Sequence, residues 1–546
     1  MSKEQESEST VSGSQFMKEE QMAEEKEAPR KLSRRQFVKG AAVGGAGVAA
    51  AGVLASCAPA ATPAPGETAA PAPTCPPAAE CPTPWLPEKW DKEADVVVLG
   101  LGFAGLCAAI EAGRAGASVI GLEKAAATGG GSILSGGATS LAGPTPLQLE
   151  KGITEATPDL MYDDLMRIGF EKNAPEIVRT YVDATTEHYD WMLAVGIEIT
   201  GLSTPAGGSL DWVHRTDPPQ VDSVLRPAAE EAGAELLMET PAKRLIADAN
   251  GVVIGVTAES AGNEIHIKAN RAVVLTAGGF CWSDPWYEET VPIMANAVKR
   301  SAPTNTGDGL VMGRSLGAGT MNMPYIKATF GTHPDPDKSS TRVCWNGAII
   351  VNRAGRRCGN ESLDYKRLSD FALPQEGGSV FQIYDQNILD LSAVDTWYGP
   401  PSEKAIADGW IADTIEELAT LIGVPPEALR ATVDRYNGFV DAGEDLEFGR
   451  TCLEIPDHGE LRKIATPPFY ATETTGAILG TYAGVTFDTA CHVTDMYGEI
   501  IPRLYAAGEV TGGFHGGGYM TGTAVGKAQI FGRISGKNAA AEEPWA

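Results

Sequence analysis

The chain has 546 residues, a formal net charge of -28, and 43% hydrophobic and 21% charged content. That length gives room for two or three domains with sizeable cores, and the composition is ordinary for a globular protein. A chain this negative would be repelled by a phosphate polymer, which excludes nucleic acid as a partner.

Nine cysteines are scattered without a CxxC pair or a CxxCH haem-attachment motif, and no metal site is expected. Most, such as Cys107, read as core residues. Residues 1–28 are Glu-rich and read as a disordered segment that is later removed. Ser33-Arg34-Arg35-Gln36-Phe37-Val38-Lys39 resembles a twin-arginine export signal. The apolar stretch 41–55 that follows is too short and small-residued for a membrane span, which favours a signal h-region. A basic patch before a flexible segment is the alternative. Leu54-Ala55-Ser56-Cys57 resembles a bacterial lipobox. Cys57 would then be the lipidated first residue of a mature, membrane-anchored protein; ordinary cleavage in an Ala-rich region is the alternative. Residues 58–88 are Ala/Pro/Thr-rich, cannot bury a core, and read as a semi-rigid tether. Within it, Cys75 and Cys81 form a disulfide or stay as thiols.

The folded part begins near Lys89. Asp95-Val96-Val97-Val98-Leu99 is a short apolar run bounded by glycines, the pattern of a buried parallel strand. Gly100, Gly102 and Gly105 follow with dinucleotide-fingerprint spacing. The first allows a tight turn, the second lets backbone approach a pyrophosphate, and the third lets a helix over residues 103–115 pack closely. That helix points its positive end at the phosphates. A second strand over 117–122 ends at Glu123, where an acid should meet a ribose. The glycine-dense loop 128–137 offers amides to phosphate and ribityl groups.

Residues 158–196 read as helical, with Leu160, Leu165, Ile168, Ile177, Tyr181, Trp191 and Leu193 as core positions. Residues 236–242, 251–257 and 265–269 alternate like a small antiparallel sheet. Residues 271–280 return as another buried strand ending in glycines. Thr306-Gly307-Asp308-Gly309 opens a further helix, with Asp308 a candidate cap or cofactor-site residue. Residues 320–478 change texture to mixed strands and polar helices (414–422 and 426–441). They read as a domain inserted between two parts of the first, 89–319 and 479–546. The C-terminal part returns to a buried strand over 501–507, a Gly-rich loop and a helix over 523–541. The expected class is α/β, a Rossmann-like domain in two sequence segments with an α+β insertion.

The two-part layout and the GxGxxG unit resemble the flavoprotein family of fumarate reductases and 3-ketosteroid dehydrogenases. So do Ala277-Gly278-Gly279-Phe280, Thr306-Gly307-Asp308-Gly309, Ala507-Gly508-Glu509-Val510-Thr511-Gly512-Gly513 and Phe531-Gly532-Arg533. The resemblance covers about residues 94–541. It implies non-dissociating FAD, an inserted capping domain, and an active site between cap and flavin. The implied FAD contacts are Gly100, Gly102, Phe103, Ala104 and Gly105 in the first turn, with Glu123 on the adenosine ribose beside Lys124. Further along they are Gly130, Gly131, Ser132, Gly136 and Gly137, then Ala242, Ala277, Gly278 and Asp308. Glu509 is implied on the ribityl chain, with amides near Ala524 and Val525 at the isoalloxazine ring.

Departures from the family narrow the expected chemistry. Where fumarate reductases carry a substrate-binding arginine, this chain has Tyr519 within His515-Gly516-Gly517-Gly518-Tyr519-Met520-Thr521-Gly522. The motif Val351-Asn352-Arg353-Ala354-Gly355-Arg356-Arg357-Cys358-Gly359-Asn360-Glu361 is followed by Tyr365 where a proton-donating arginine is expected. Thr329 and Leu479 or Gly480 stand near the carboxylate-binding histidine positions. A dicarboxylate needs positive, bidentate partners, which a tyrosine does not supply. The segment 518–523 resembles instead that of 3-ketosteroid Δ4-dehydrogenases, where Tyr365 also has a counterpart used in proton transfer.

The expected reaction is therefore redox chemistry at a carbon–carbon bond conjugated to a neutral carbonyl, a steroid-like enone favoured. Tyr519 and a following amide (Gly522 or Thr523) hold the carbonyl oxygen and stabilise the enolate. Hydride comes from reduced flavin N5, and Tyr365 protonates the α-carbon with Thr521 as relay. Lys366 or Arg367 is expected to assist the phenol, while His515 reads as structural. A separate carrier (cytochrome, quinone-linked or flavin) supplies or takes the electrons, with the respiratory reductase direction favoured over dehydrogenation. The alternatives are a reductase of a fumarate-like or aryl-acrylate enoate, and a non-catalytic lipoprotein that uses the flavin fold to bind hydrophobic ligands.

Overall fold

The computed structural model describes residues 86–205, 208–326, 328–363, 365–393, 400–450 and 461–545. The export signal, Cys57, Cys75 and Cys81 lie outside the described residues. The apolar run forms β1 (Lys92–Leu99), and the fingerprint opens α1 (Phe103–Arg114). Val96 and Val98 pack into one core and Val97 and Leu99 into another, on opposite faces of the sheet. Both faces are covered, so the run reads as continuously apolar rather than alternating. β2 (Val119–Leu122) pairs parallel with β1.

The helical stretch divides into α2 (Pro158–Ile168) and α3 (Pro175–Val195). Each starts on a proline, whose missing N–H is not needed in a first turn, and Thr157 caps α2 by accepting from the Leu160 amide. Tyr181 and Ile177 are core residues as expected. Leu193 is not: it is 48% exposed, on the outer side of the last turn of α3.

The antiparallel reading needs two corrections. β3 (Ala234–Leu237) pairs parallel with β2 and extends the main sheet. β4 (Ala242–Ala247) and β5 (Val253–Ser260) form a hairpin, but its third strand does not stop at residue 269. It is the first half of β6 (Asn263–Leu275), which pairs antiparallel with β5 and parallel with β1. One long strand serves the meander and then enters the buried sheet.

After α4 (Asp308–Ser315), a second, six-stranded sheet is built mainly from β7 (Thr329–Thr332), β8 (Ile349–Val351), β9 (Val380–Asp385) and β10 (Phe469–Ile478). β10 is its spine and also pairs with Val298–Lys299, so this sheet recruits chain from before residue 320. Between β8 and β9 lies the helix α5 (Tyr365–Ala372). α6 (Ile415–Leu421) and α7 (Pro426–Ala442) share one core with β8, β9 and β10 through Leu418, Val433 and Tyr436.

The chain then returns through β11 (His492–Thr494) and β12 (Ile500–Ala506) to the first sheet and ends in α8 (Thr523–Ala541). The main sheet runs β11-β12-β6-β1-β2-β3, with β5 also on β6. α8 lies against α1, where a side chain on Gly532 would come within 2.4 Å of the Ala104 carbonyl oxygen. Register places Leu99 beside Leu122 and Leu275, and Leu275 beside Ala506. The loops carrying Gly100, Glu123, Ala277 and Glu509 therefore leave one edge together, the carboxyl ends where α/β sheets bind ligands.

Candidate active site

Those four loops open onto a cavity of about 510 Å³ that continues toward the second sheet. At its first end lie Gly100, Gly102, Phe103, Ala104, Glu123 and Lys124. Gly100 has φ of 102°, and a side chain there would sit 2.6 Å from the Thr276 carbonyl oxygen, so only glycine fits the turn. Gly105 faces away from the cavity; a Cβ on it would lie 1.9 Å from the Gly100 oxygen, so its role is close helix packing. Glu123 is buried and accepts from the amides of Leu101 (2.9 Å) and Ala125 (2.8 Å). Lys124 donates to Asp308 Oδ2 and Thr306 Oγ1, each at 2.7 Å, beside Ala242. Asp308 is thus an ion-pair partner and not a cap, the N-cap of α4 being Gly307.

Gly130, Gly131, Ser132 and Gly136 line the wall, as do Ala277 and Gly278. Gly137 does not; it packs beneath, with a Cβ position 1.9 Å from the Thr216 oxygen. Deeper in, Glu509 is held by the Thr481 amide (2.7 Å) and by Asn305 Nδ2 (3.2 Å). Burial pushes its carboxyl up. The first turn of α8 presents Ala524 and Val525, whose amides have no acceptor within the helix.

The far end is a tyrosine chamber. Tyr365 Oη lies 3.1 Å from Thr521 Oγ1. Tyr519 stacks on Tyr482 with ring centres 5.0 Å apart, and His515 sets its edge against both. Gly522, at φ 89°, is the N-cap of α8; a Cβ there would meet Ser140 Oγ at 2.8 Å. The Ser140 hydroxyl donates to the Thr521 carbonyl (2.7 Å), and its amide donates to the Gly522 carbonyl (3.2 Å). The amides of Gly522 and Ala524 face the Tyr519 oxygen and oppose the rise that burial imposes on this phenol.

Lys366 is one of the cations lining the chamber, with Arg342 and Lys527. It is buried, donates to Thr329 Oγ1 (2.7 Å), and stands 5.5, 5.3 and 5.6 Å from the ring centres of Tyr365, Tyr482 and Tyr519. Tyr365 and Lys366 follow a motif whose Arg357 and Glu361 pair at 2.6 Å with no exposed side-chain surface. Glu361 also accepts from the Ile350 amide (3.0 Å), and Asp445 closes on Arg357 at 2.9 Å. Leu479 and Gly480 line the chamber near Thr329 and Arg342. Sequence reasoning missed Tyr482 and Lys527, both in the wall. Burial holds the His515 imidazole well below its ordinary value, so it is neutral.

A glycine turn at the strand ends, a buried acid at the second strand, a second acid at Glu509 and a helix N-terminus beyond it form a wall that fits FAD along its length. The class this defines is a flavoprotein with its reaction chamber at the end of the cofactor cleft. Residues 95–525 match the model of the FAD binding domain family, and the chain belongs to that family. It is an FAD-dependent oxidoreductase acting on carbon–carbon double bonds.

The fumarate reductase (cytochrome) of Shewanella frigidimarina is 33% identical over 457 residues, covering 82% of this chain and 77% of that one. The open conformation of a flavocytochrome c3 fumarate reductase superposes with TM-score 0.71 at 28% identity, covering 83% of this chain and 79% of that one. The 3-ketosteroid-Δ4-(5α)-dehydrogenase of Rhodococcus jostii RHA1, in complex with 4-androstene-3,17-dione, gives TM-score 0.68 at 27% identity. That match covers 83% of this chain and 98% of the dehydrogenase.

Proposed function

We propose that the protein reduces a carbon–carbon double bond conjugated to the carbonyl of a hydrophobic, steroid-like enone. The observation that carries this reading is the contact of Tyr365 with Thr521, 3.1 Å, in a chamber whose other wall is Tyr519. Bound FAD supplies the hydride. The Tyr519 hydroxyl donates to the carbonyl oxygen while the Gly522 and Ala524 amides face its own oxygen, so negative charge moving onto the carbonyl is met by a prearranged dipole. Tyr365 gives its proton to the α-carbon and regains one through the Thr521 hydroxyl. The Lys366 ammonium, behind the Tyr365 ring, offsets the charge left on the phenol oxygen. The hydride at the β-carbon and the proton at the α-carbon complete the reduction.

The second sheet with α6 and α7 acts as the cap, bringing Tyr365 and Lys366 over the flavin cleft. The twin-arginine segment, the lipobox at Cys57 and the tether support a protein exported to the cell envelope and held there by lipid. Its electrons come from a separate carrier, a reading supported by the cytochrome in the name of the Shewanella relative.

One observation favours a second reading, an enoate such as an aryl-acrylate: Lys366 is a buried cation in the same chamber. Steady-state reduction with reduced viologen as donor separates the two. For an enone, Lys366→Met lowers kcat with little change in KM. For an enoate it raises KM, because the carboxylate loses its partner. Turnover of no enone at all contradicts the main proposal.

A further inference from the structure

Lys527 is a buried charge that the reaction above does not use. It lies in the second turn of α8, on the face that also presents Ala524, Val525 and Ala528 to the cavity. It is 2% exposed, and its ammonium donates to the Thr511 carbonyl oxygen at 2.7 Å. The placement is unfavourable twice over. Burial removes water from the charge, and the N-terminal end of a helix is already positive. Glu509, from the turn after β12, is the anion that acts on it. Among the described residues, the other charged or titratable groups facing this region include His515, Tyr482, Tyr519 and, from α5, Lys366. Both His515 and Lys527 are driven toward neutrality, Lys527 to about 7, burial being the first cause and Glu509 working against it.

A cation held in such a position is stabilised when negative charge enters the cavity beside it. We propose that Lys527 sets the reduction potential of the bound flavin, by placing in the cavity wall an ammonium that completes its protonation as the electrons arrive. The balance is as follows. FAD takes up two electrons from the external carrier and one proton from solvent, and the reduced cofactor carries one more negative charge than before. Neutral Lys527 takes a second proton from solvent, so two electrons and two protons enter together and the added charge is cancelled. Lys527 is thus a tuning residue that acts through the cofactor. The inference rests on FAD binding and holds whether the substrate is an enone or an enoate.

The test is potentiometric titration of the purified FAD-loaded protein between about pH 6 and about pH 9, without substrate. Lys527→Met, which keeps length and removes charge, is expected to lose about tenfold in the equilibrium for reduction near neutral pH, about 30 mV for a two-electron couple. Above the Lys527 midpoint the wild-type protein takes up close to two protons per two electrons, and Lys527→Met takes up one. Lys527→Arg, charged throughout, retains the wild-type potential at neutral pH but also takes up one proton. A Lys527→Met protein with the potential and proton count of the wild type overturns the proposal. So does a Lys527→Arg protein that still takes up two.

Discussion

Tyr365 and Thr521 are separated by 156 positions in the chain, and their hydroxyl oxygens meet at 3.1 Å across the chamber. Tyr365 starts α5, a few residues after the buried Arg357–Glu361 pair, and Thr521 is tied to Ser140. The contact joins the start of α5 to the loop that leads into α8. Tyr365→Phe keeps the ring and removes the proton. It is expected to lower kcat about 10²- to 10⁴-fold with FAD retained. Thr521→Val is expected to have a smaller effect, because it interrupts reprotonation and leaves the donor in place. Equal turnover of Tyr365→Phe and wild type would remove Tyr365 from the mechanism.

Tyr519→Phe tests the carbonyl contact. The ring stacked on Tyr482 is preserved, while the hydroxyl facing the Gly522 amide is lost. Removing one donor of this kind typically lowers kcat about 10²- to 10³-fold. Flavin absorbance should be unchanged, and the loss should appear in the single-turnover reoxidation rate. A loss of FAD instead would make Tyr519 a cofactor residue.

The Arg357–Glu361–Asp445 cluster carries no exposed side-chain surface at Arg357, Glu361 or Asp445. Breaking such a cluster from one side leaves uncompensated buried charge, at a cost of about 3–5 kcal/mol. Arg357→Met is therefore expected to lower the thermal midpoint markedly and to reduce turnover through a displaced Tyr365. A midpoint within a degree or so of wild type would show that the cluster does not hold α5.

Acid stability follows from buried histidines. Burial lowers His188 to about 3 and His214 to about 4, and pushes His515 well below its ordinary 6.5. The unfolded chain binds these protons more readily than the native one. The stability they contribute is full above the unfolded value and is lost as pH falls through it toward the folded values. Each histidine accounts for about 1.4 kcal/mol per pH unit inside that window. Glu509, raised by burial, acts with the opposite sign and offsets part of the loss. The urea midpoint should fall between about pH 6.5 and about pH 4.5, less steeply in His188→Gln. A midpoint that rises on acidification would contradict the assignment.

The cofactor cleft was legible because its determinants are local. A glycine turn, an acid at a strand end and a helix N-terminus each leave a mark within a few residues of sequence. β6 was not legible as one strand because its pattern changes along its length. It alternates while one face is covered, and becomes continuously apolar where it enters the two-sided sheet at Ala272–Leu275. Leu193 read as core from its side chain, but it lies on the exposed side of the last turn of α3. Lys527 was invisible, and Lys366 was legible only as one of two candidates beside Arg367, for a different reason. A lysine in a helix normally reads as solvated, and these two are buried only by contacts from distant strands and turns, Thr329 for one and Thr511 for the other. The two tyrosines were found only because a resemblance marked their positions.

The measurement that tests the central claim most directly is anaerobic reoxidation of the dithionite-reduced protein by a 3-keto-4-ene steroid, an aryl-acrylate and fumarate, each added separately. The account predicts rapid flavin reoxidation by the steroid, slowed by orders of magnitude in Tyr519→Phe, and none by fumarate. Reoxidation by fumarate or the aryl-acrylate alone would contradict it, and would make Lys366 the anchor of a carboxylate rather than the support of a proton donor.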